Sequence, residues 1–257
     1  MANLAFAGTV SVRYKDDAKV GTTMRWTNWS FPNSGAARQK TEGNDNPITK
    51  DANTDTAVTL TINQHWYSAF ELEEFEKSLS IVDQNKWATK MAAYVVDLAV
   101  DDALAALIDD ASQALGTLTV DVDDALLRRA DQYLNDANAP DDGRYFAMSP
   151  ACKNGLLGVD RYASSDFNRG GGANIVRGEF GTVYNLKCWT STNVEGTNAA
   201  GHDNGVYQRD FMAYAERMSP RTRTFDDIAN LSETKAISCI FGVVETRDDH
   251  GIWLKGP

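Results

Sequence analysis

From Ala57 to Asn63 the chain alternates, with Val58, Leu60 and Ile62 facing one way and Thr59 and Thr61 the other. That period of two, with its β-branched content, predicts a half-buried strand. A second strand is expected over Thr22–Trp26, and between the two lies a stretch rich in Asn, Ser, Gly, Thr, Pro and charge, from Thr27 to Thr56. A loop of that length without a core of its own usually has a task outside its domain. Together these segments predict a long hairpin that reaches away from the body, with Gly43–Pro47 at its tip. Trp29 and Phe31 at its start are expected to anchor it or to touch a neighbour. Before the hairpin, Met1 to Val20 has too few apolar residues to pack on itself and is expected as an extended arm.

The strongest helical pattern follows. Ser80-Ile81-Val82-Asp83 fits a capping box, in which a hydroxyl and a carboxylate satisfy the free N–H groups of a helix start. Trp87, Met91, Tyr94, Val95, Leu98, Leu104, Leu107 and Ile108 then recur at spacings near 3.6, interrupted by Asp101-Asp102. Gly116 stands at the natural stop. A helix over Ser80–Leu115 would be a rod of about 50 Å, at 1.5 Å per residue. A second helix is expected from Asp123 to Asn135, with Leu126, Leu127, Ala130, Tyr133 and Leu134 on one face and Pro140 beyond its end.

The remainder reads as a short strand at Arg144–Met148, a short helix at Pro150–Leu157, and a glycine-rich loop at Asn168–Ala173. A strand at Thr182–Trp189 leads to a polar stretch over Thr190–Asn204, and further strands are expected at Phe211–Ala215, Ile237–Val244 and Ile252–Leu254. Hairpin, long helix, mixed segments and late strands in that order make an α+β protein.

Charge narrows the function. Against 36 acidic residues stand 25 basic ones, a net −11. A protein that grips nucleic acid by its backbone needs surplus Lys and Arg to displace counterions, so tight direct binding of nucleic acid is not expected. Met1–Phe6 shows no basic stretch leading into an apolar run, so no secretory signal is expected, and no window is apolar for long enough to form a membrane helix. Cys152, Cys188 and Cys239 are odd in number and widely spaced, which fits reduced structural thiols.

Candidate chemistry is thin. His65, His202 and His250 have no partner at metal-ligand spacing, and Ser149-Pro150 lacks the Gly-x-Ser-x-Gly frame of a nucleophile elbow. Gly170-Gly171-Gly172 is not followed by the Gly-Lys-Ser/Thr of a phosphate loop. Carboxylate pairs such as Asp101-Asp102 and Asp248-Asp249 are what an acidic composition produces. No catalytic residue, cofactor or metal is therefore expected. What stands out is surface in awkward places: Trp26, Trp29, Phe31, Arg38 and Lys40 in or beside the hairpin are candidate intersubunit contacts, Trp and Arg being enriched where interfaces carry their energy.

Several stretches, in their order, resemble one family: TLTINQHWYSAFELEEFE, KMAAYVVDLAVDDALAALI, DDALLRRADQYLNDANAPDDGRYFAMSPACKNGLL, IVRGEFGTVYNLKCWTSTNV, RDFMAYAERM and ISCIFGVVETRDDHGIWL. The chain is similar over nearly its whole length to the major capsid proteins of tailed bacteriophages with the Hong Kong ninety-seven type fold. Gly143–Tyr145 through Ser149-Pro150 and Leu156-Leu157 is the most telling segment. The resemblance implies an N-terminal arm at 1–23 and an extended β-hairpin loop at 24–63. It implies a peripheral domain of 64–115 and 205–235, with the long spine helix and a β-sheet, and an axial α/β domain of 116–204 and 236–257.

It further implies a homo-oligomer of hexamers and pentamers that builds the icosahedral shell of a virion in the host cytoplasm. Scaffolding and portal proteins would be its partners, with a decoration protein as an optional one. The chain as given is short for the family and shows no long N-terminal scaffolding segment, which implies a scaffolding protein that is separate or was previously removed. Some members cross-link subunits through Lys and Asn; Lys40 and Lys50 lie in the corresponding loop, but the acidic residue and the asparagine are not identifiable, and no cross-link is expected. The rival readings are an encapsulin-like nanocompartment shell, which shares the fold, and a cytosolic α+β enzyme.

Overall fold

The computed structural model describes residues 6–12, 22–29, 39, 55–79, 84–159 and 181–257. In chain order, a helical turn α1 (Phe6–Thr9) and strand β1 (Ser11–Val12) precede the hairpin strands β2 (Thr23–Trp29) and β3 (Asp55–Thr61). Next come β4 (Gln64–Glu73), α2 (Glu74–Leu79), α3 (Gln84–Ala105), β5 (Ala114–Gly116), α4 (Asp124–Asp136), β6 (Arg144–Met148) and α5 (Pro150–Leu157). The chain continues through β7 (Thr182–Val183), β8 (Leu186–Thr190), β9 (Gly196–Thr197), β10 (Gly201–Gln208), β11 (Met212–Asp227), β12 (Ser232–Glu245) and β13 (Gly251–Gly256).

The expected hairpin forms. β2 and β3 pair antiparallel from Thr23 opposite Thr61 to Trp29 opposite Asp55. Its root is fixed because the alternation buries Leu60 and Ile62 against Ala213 and Ala215, with Met24 and Trp26 beside them. β12 passes so close that a Cβ on Gly242 would sit 2.4 Å from the Thr61 carbonyl oxygen and 3.0 Å from the Ile62 Cα. Both neighbours are backbone and cannot step aside. Gly242→Ala should therefore destabilise the protein by about 2 kcal/mol through overpacking, read as a lowered denaturation midpoint; an unchanged midpoint would contradict the close approach.

A four-stranded sheet has the order β1-β11-β12-β4. Against β4 and β12 lies α3, which turns Ala92, Val96, Val100, Leu104 and Ala105 inward. The expected stripe differs from this one: Trp87 is 63% exposed and Val95 is exposed as well. Small side chains let the helix sit close on the sheet, and the bulkier ones project to the sides.

The helix is also shorter than expected, 22 residues or about 33 Å. Its last α-type bond runs from the Ala106 N–H to the Asp102 carbonyl; Leu107 and Ile108 then tighten onto residues three back. Ala114–Gly116 is taken up by β13, pairing parallel with Trp253–Lys255. Gly116 does stand at a stop, with φ +81°, but it ends a strand, packed so close that a Cβ would meet the Lys255 carbonyl oxygen at 2.5 Å. Ser80–Asp83, the expected capping box, lies outside the described residues, as does the glycine-rich loop.

The larger sheet runs β5-β13-β10-β6-β8-β7, with β9 on β10. Its central strand β10 replaces part of an expected polar loop. Polar side chains are tolerated there because they are satisfied: the Asn204 side-chain oxygen accepts from the Ser149 N–H at 2.7 Å, and its amide donates to the His202 carbonyl at 3.3 Å. The strand expected over Thr182–Trp189 is two strands. Tyr184 and Asn185 both have positive φ, the two-residue turn whose twist suits a hairpin. Tyr184 donates to Asp124 Oδ1 at 2.6 Å and Asn185 to the Asp141 carbonyl at 3.0 Å, so tertiary bonds hold a tyrosine where its Cβ is disfavoured.

Two further expectations are corrected. Phe6 to Val10 does not lie outside the body: Phe6 is fully buried, 4.5 Å from the Trp189 ring centre edge to face, and Thr9 Oγ1 lies 2.7 Å from the Tyr207 hydroxyl. The segment is short of apolar residues, yet it completes a core shared with α3 and both sheets. Strand pairing also divides the chain differently from the expected domains. Residues 201–208 belong to the seven-stranded sheet and 232–245 to the four-stranded one, since β12 pairs with β4 from Ser232 to Phe241 and with β11 as far as Glu245.

Candidate functional site

Among the described residues no three His, Cys, Asp or Glu side chains are grouped to hold a metal ion. His65 is exposed on β4, while His202 and His250 stand at opposite ends of the β10–β13 ladder. His202 Nδ1 contacts the Pro257 carbonyl oxygen at 2.8 Å, and burial holds the pKa of His250 below its ordinary value. Ser149 caps α5, its hydroxyl oxygen accepting from the Cys152 N–H at 3.0 Å, a structural role that leaves it no base. Burial pushes the Cys152 and Cys188 thiols up to about 12, far from the thiolate form a nucleophile needs. Burial likewise raises the carboxyls of Asp97, Asp102, Asp109 and Glu195. Asp97 and Asp102 share α3, and Asp109 stands near Glu195, whose carboxyl it helps to raise.

The structure instead offers apolar surface. Between β4 and α3 runs a groove of about 380 Å³ lined by Gln64, Trp66, Tyr67, Val95, Leu98 and Asp102, among others. The Trp66 indole N–H is satisfied by Gln64 Oε1 at 3.0 Å, leaving its ring face for contact, and Tyr67 is 70% exposed. Trp87 lies exposed on the same helix.

A second patch caps the far end of the four-stranded sheet. There the β11–β12 ribbon ends beside β4, with Thr234 between Phe225 and Glu71, and the Glu74 N–H bonds the Leu231 carbonyl. Phe75 and Leu79 of α2, with Phe225, Ile228 and Leu231 of the ribbon, are all exposed, Ile228 to 87%. The patch is held in shape by charge. Lys77 and Lys235 both grip Glu233, holding its carboxyl below the usual range, and Lys235 also donates to Asn85 Oδ1 at 2.7 Å. Clustered exposed apolar side chains of this size mark surfaces that meet other molecules.

The hairpin candidates divide. Trp26 is half-buried and packs on its own core cluster. Trp29 ends β2 opposite Asp55. Phe31, Arg38 and Lys40 lie outside the described residues. The exposed residues of the groove and the ribbon end did not stand out in the sequence.

No protein-family model matches the sequence. No curated protein matches it either. Solved structures do. The fold overlays on a structure from Mycobacterium phage Che8 with a TM-score of 0.81 at 21% identity, covering 97% of this chain and 90% of that one. It overlays on the capsid structure of the cyanophage P-SCSP1u with a TM-score of 0.77 at 14% identity, covering 96% and 86%. With the mature capsid of bacteriophage PhiM1 the TM-score is 0.73 at 14% identity, covering 99% and 87%. At these identities the likeness is one of fold, and it runs nearly the length of both partners.

Proposed function

We propose that this chain, sharing its fold with phage capsid subunits from end to end, is itself the major capsid protein of a tailed bacteriophage. Many copies close into the icosahedral shell of the virion, assembled in the host cytoplasm. The observation that carries this reading is the overlay on two capsid structures with most of both chains covered. The role is structural, and repeated burial at modest contacts supplies the assembly energy.

In this reading the loop 24–63 contacts a neighbouring copy, its root held close against Gly242. Trp26, Trp29, Phe31, Arg38 and Lys40 supply contacts there, and other copies cover the β4–α3 groove and the ribbon end. Hexamers and pentamers are the building units, a scaffolding protein sets their curvature, and a portal protein occupies one vertex. An acidic chain suits a wall beside packaged DNA, since it would leave the DNA free to move.

Electron microscopy of the purified chain tests the proposal: shells or capsomers are expected. Tyr67→Glu with Ile228→Glu puts charge on both exposed patches and should abolish assembly while leaving the melting temperature of the single subunit unchanged. A stable monomer that turns over a substrate would overturn the reading.

A further inference from the structure

The chain passes from the four-stranded to the seven-stranded sheet through a short connector, Glu245 to His250, between β12 and β13. Its backbone is tied to one residue of the β10–β11 link: the Thr246 N–H donates to the Phe211 carbonyl at 2.7 Å and the Arg247 N–H to the same oxygen at 3.3 Å. Gly251, at its end, sits against the Phe211 ring, where a Cβ would lie 2.2 Å from a ring carbon. The other side of the connector faces the turn after α3, where Asp248 Oδ1 accepts from the Ser112 N–H at 2.8 Å.

Beside this bond stands a second carboxyl. Glu245 Oε1 is shut off from solvent and receives no bond from any N–H or hydroxyl of the described residues. The group within hydrogen-bonding reach of the Glu245 side chain is the Asp248 carboxyl. Two carboxylates cannot meet this way when both are ionised; one proton between them turns the repulsion into a strong bond. We infer that a single proton shared by Glu245 and Asp248 latches the sheet-to-sheet connector onto the turn after α3, and that losing it loosens the connector.

The charges around the latch set its pH range. Burial first, then the bond to Asp248 and the charges of Asp248 and Asp110, push the Glu245 carboxyl from 4.5 up to about 7. Asp248, bonded by Ser112 and Glu245, is lowered and remains the acceptor. A raised carboxyl pKa means that the folded state holds its proton where the unfolded chain has released it. The stabilisation is therefore complete below about 4.5, declines as pH rises, and is gone above about 7. His250, at the far end of the connector, is faced by Arg247, Asp210, Asp249 and Arg144, and its lowered pKa gives the opposite slope, stability falling as pH drops. The latch must therefore be read as a difference between chains that share His250.

Thermal melts of the full chain and of Glu245→Gln from pH 5 to pH 8 make that comparison. The amide introduced by the substitution presents the Asp248 carboxylate with a donor at every pH. The two melting temperatures should coincide near pH 5, and the variant should melt higher by about 4 °C at pH 8. Asp248→Asn, whose amide can donate to an ionised Glu245 while its oxygen still accepts from Ser112, should flatten the profile in the same way. Amide exchange of the unaltered chain gives an independent reading: the Ser112 N–H should lose protection between pH 5 and pH 8 beyond the intrinsic rise in exchange rate. Parallel melting profiles for all three chains, or constant protection at Ser112, would overturn the latch.

Discussion

Phe6→Ala should destabilise the protein by about 4 kcal/mol, the range for deleting a buried aromatic ring, and lower its melting temperature by roughly 10 °C. The ring is fully buried in the shared core, edge-on to Trp189 and stacked 6.5 Å from Tyr207. Its segment is held by few other bonds. The Ala7 N–H donates to Asp101 Oδ1 at 3.1 Å, Thr9 meets the Tyr207 hydroxyl, and β1 adds two residue pairs to β11. Removing the ring should therefore release the segment as a unit. Limited proteolysis should then cut near residue 10 in the variant while the unaltered chain resists. A loss below 1 kcal/mol with no new cleavage would show that residues 6–12 lie on the body without completing it.

Arg144→Met should cost about 3 kcal/mol, measured as a shift in denaturant midpoint, although it places an apolar side chain of similar length in a buried position. The guanidinium is 2% exposed. It donates to the Ala139 carbonyl at 2.7 Å, the Pro140 carbonyl at 3.1 Å and Asp131 Oδ1 at 2.9 Å, and forms an ion pair with Asp141 Oδ1 at 2.9 Å. Both carboxylates reach solvent, so the ion pairs contribute little by themselves. The loss falls mainly on the two carbonyls where the chain leaves α4, which the arginine alone serves among the bonds described. Lys should rescue only part of the loss, because one ammonium cannot fan out to four acceptors as a planar guanidinium does.

What could be read from the residues follows a physical division. The hairpin root and α4 were legible because their signals are local. In the first, alternation buries Leu60 and Ile62; in the second, Asp123 caps the start, its carboxylate accepting from the Leu126 N–H at 2.9 Å, and Leu127, Ala130 and Leu134 face inward. The α+β class was legible from the order of such segments, and the phage-capsid fold from the resemblance of several stretches to one family. Strand β10 was not, since Gly-His-Asp-Asn-Gly looks like a loop until Ser149 and Ile108 are known to wait beside it. The end of α3 was misplaced for a similar reason: the strand that takes up Ala114–Gly116 lies near the other end of the sequence. The candidate contact residues were sought in the hairpin, where polarity and length draw attention. The exposed residues of β4, α2 and the ribbon, Trp66, Phe75 and Ile228 among them, look in sequence like ordinary core-forming positions.

The pairing of β5 with β13 also bears on synthesis. Ala114 finds its partner only at Trp253, and Ser11 of β1 finds Ala213. At translation rates of about 5 to 20 residues per second, β5 waits on the order of ten seconds on the ribosome for its edge to be covered. The four-stranded sheet gains its second and third strands only late in that interval. A nascent chain of this design therefore exposes α3 and β4 until its last strands emerge, and it should depend on chaperone holding during translation more than a chain whose neighbours in space are neighbours in sequence.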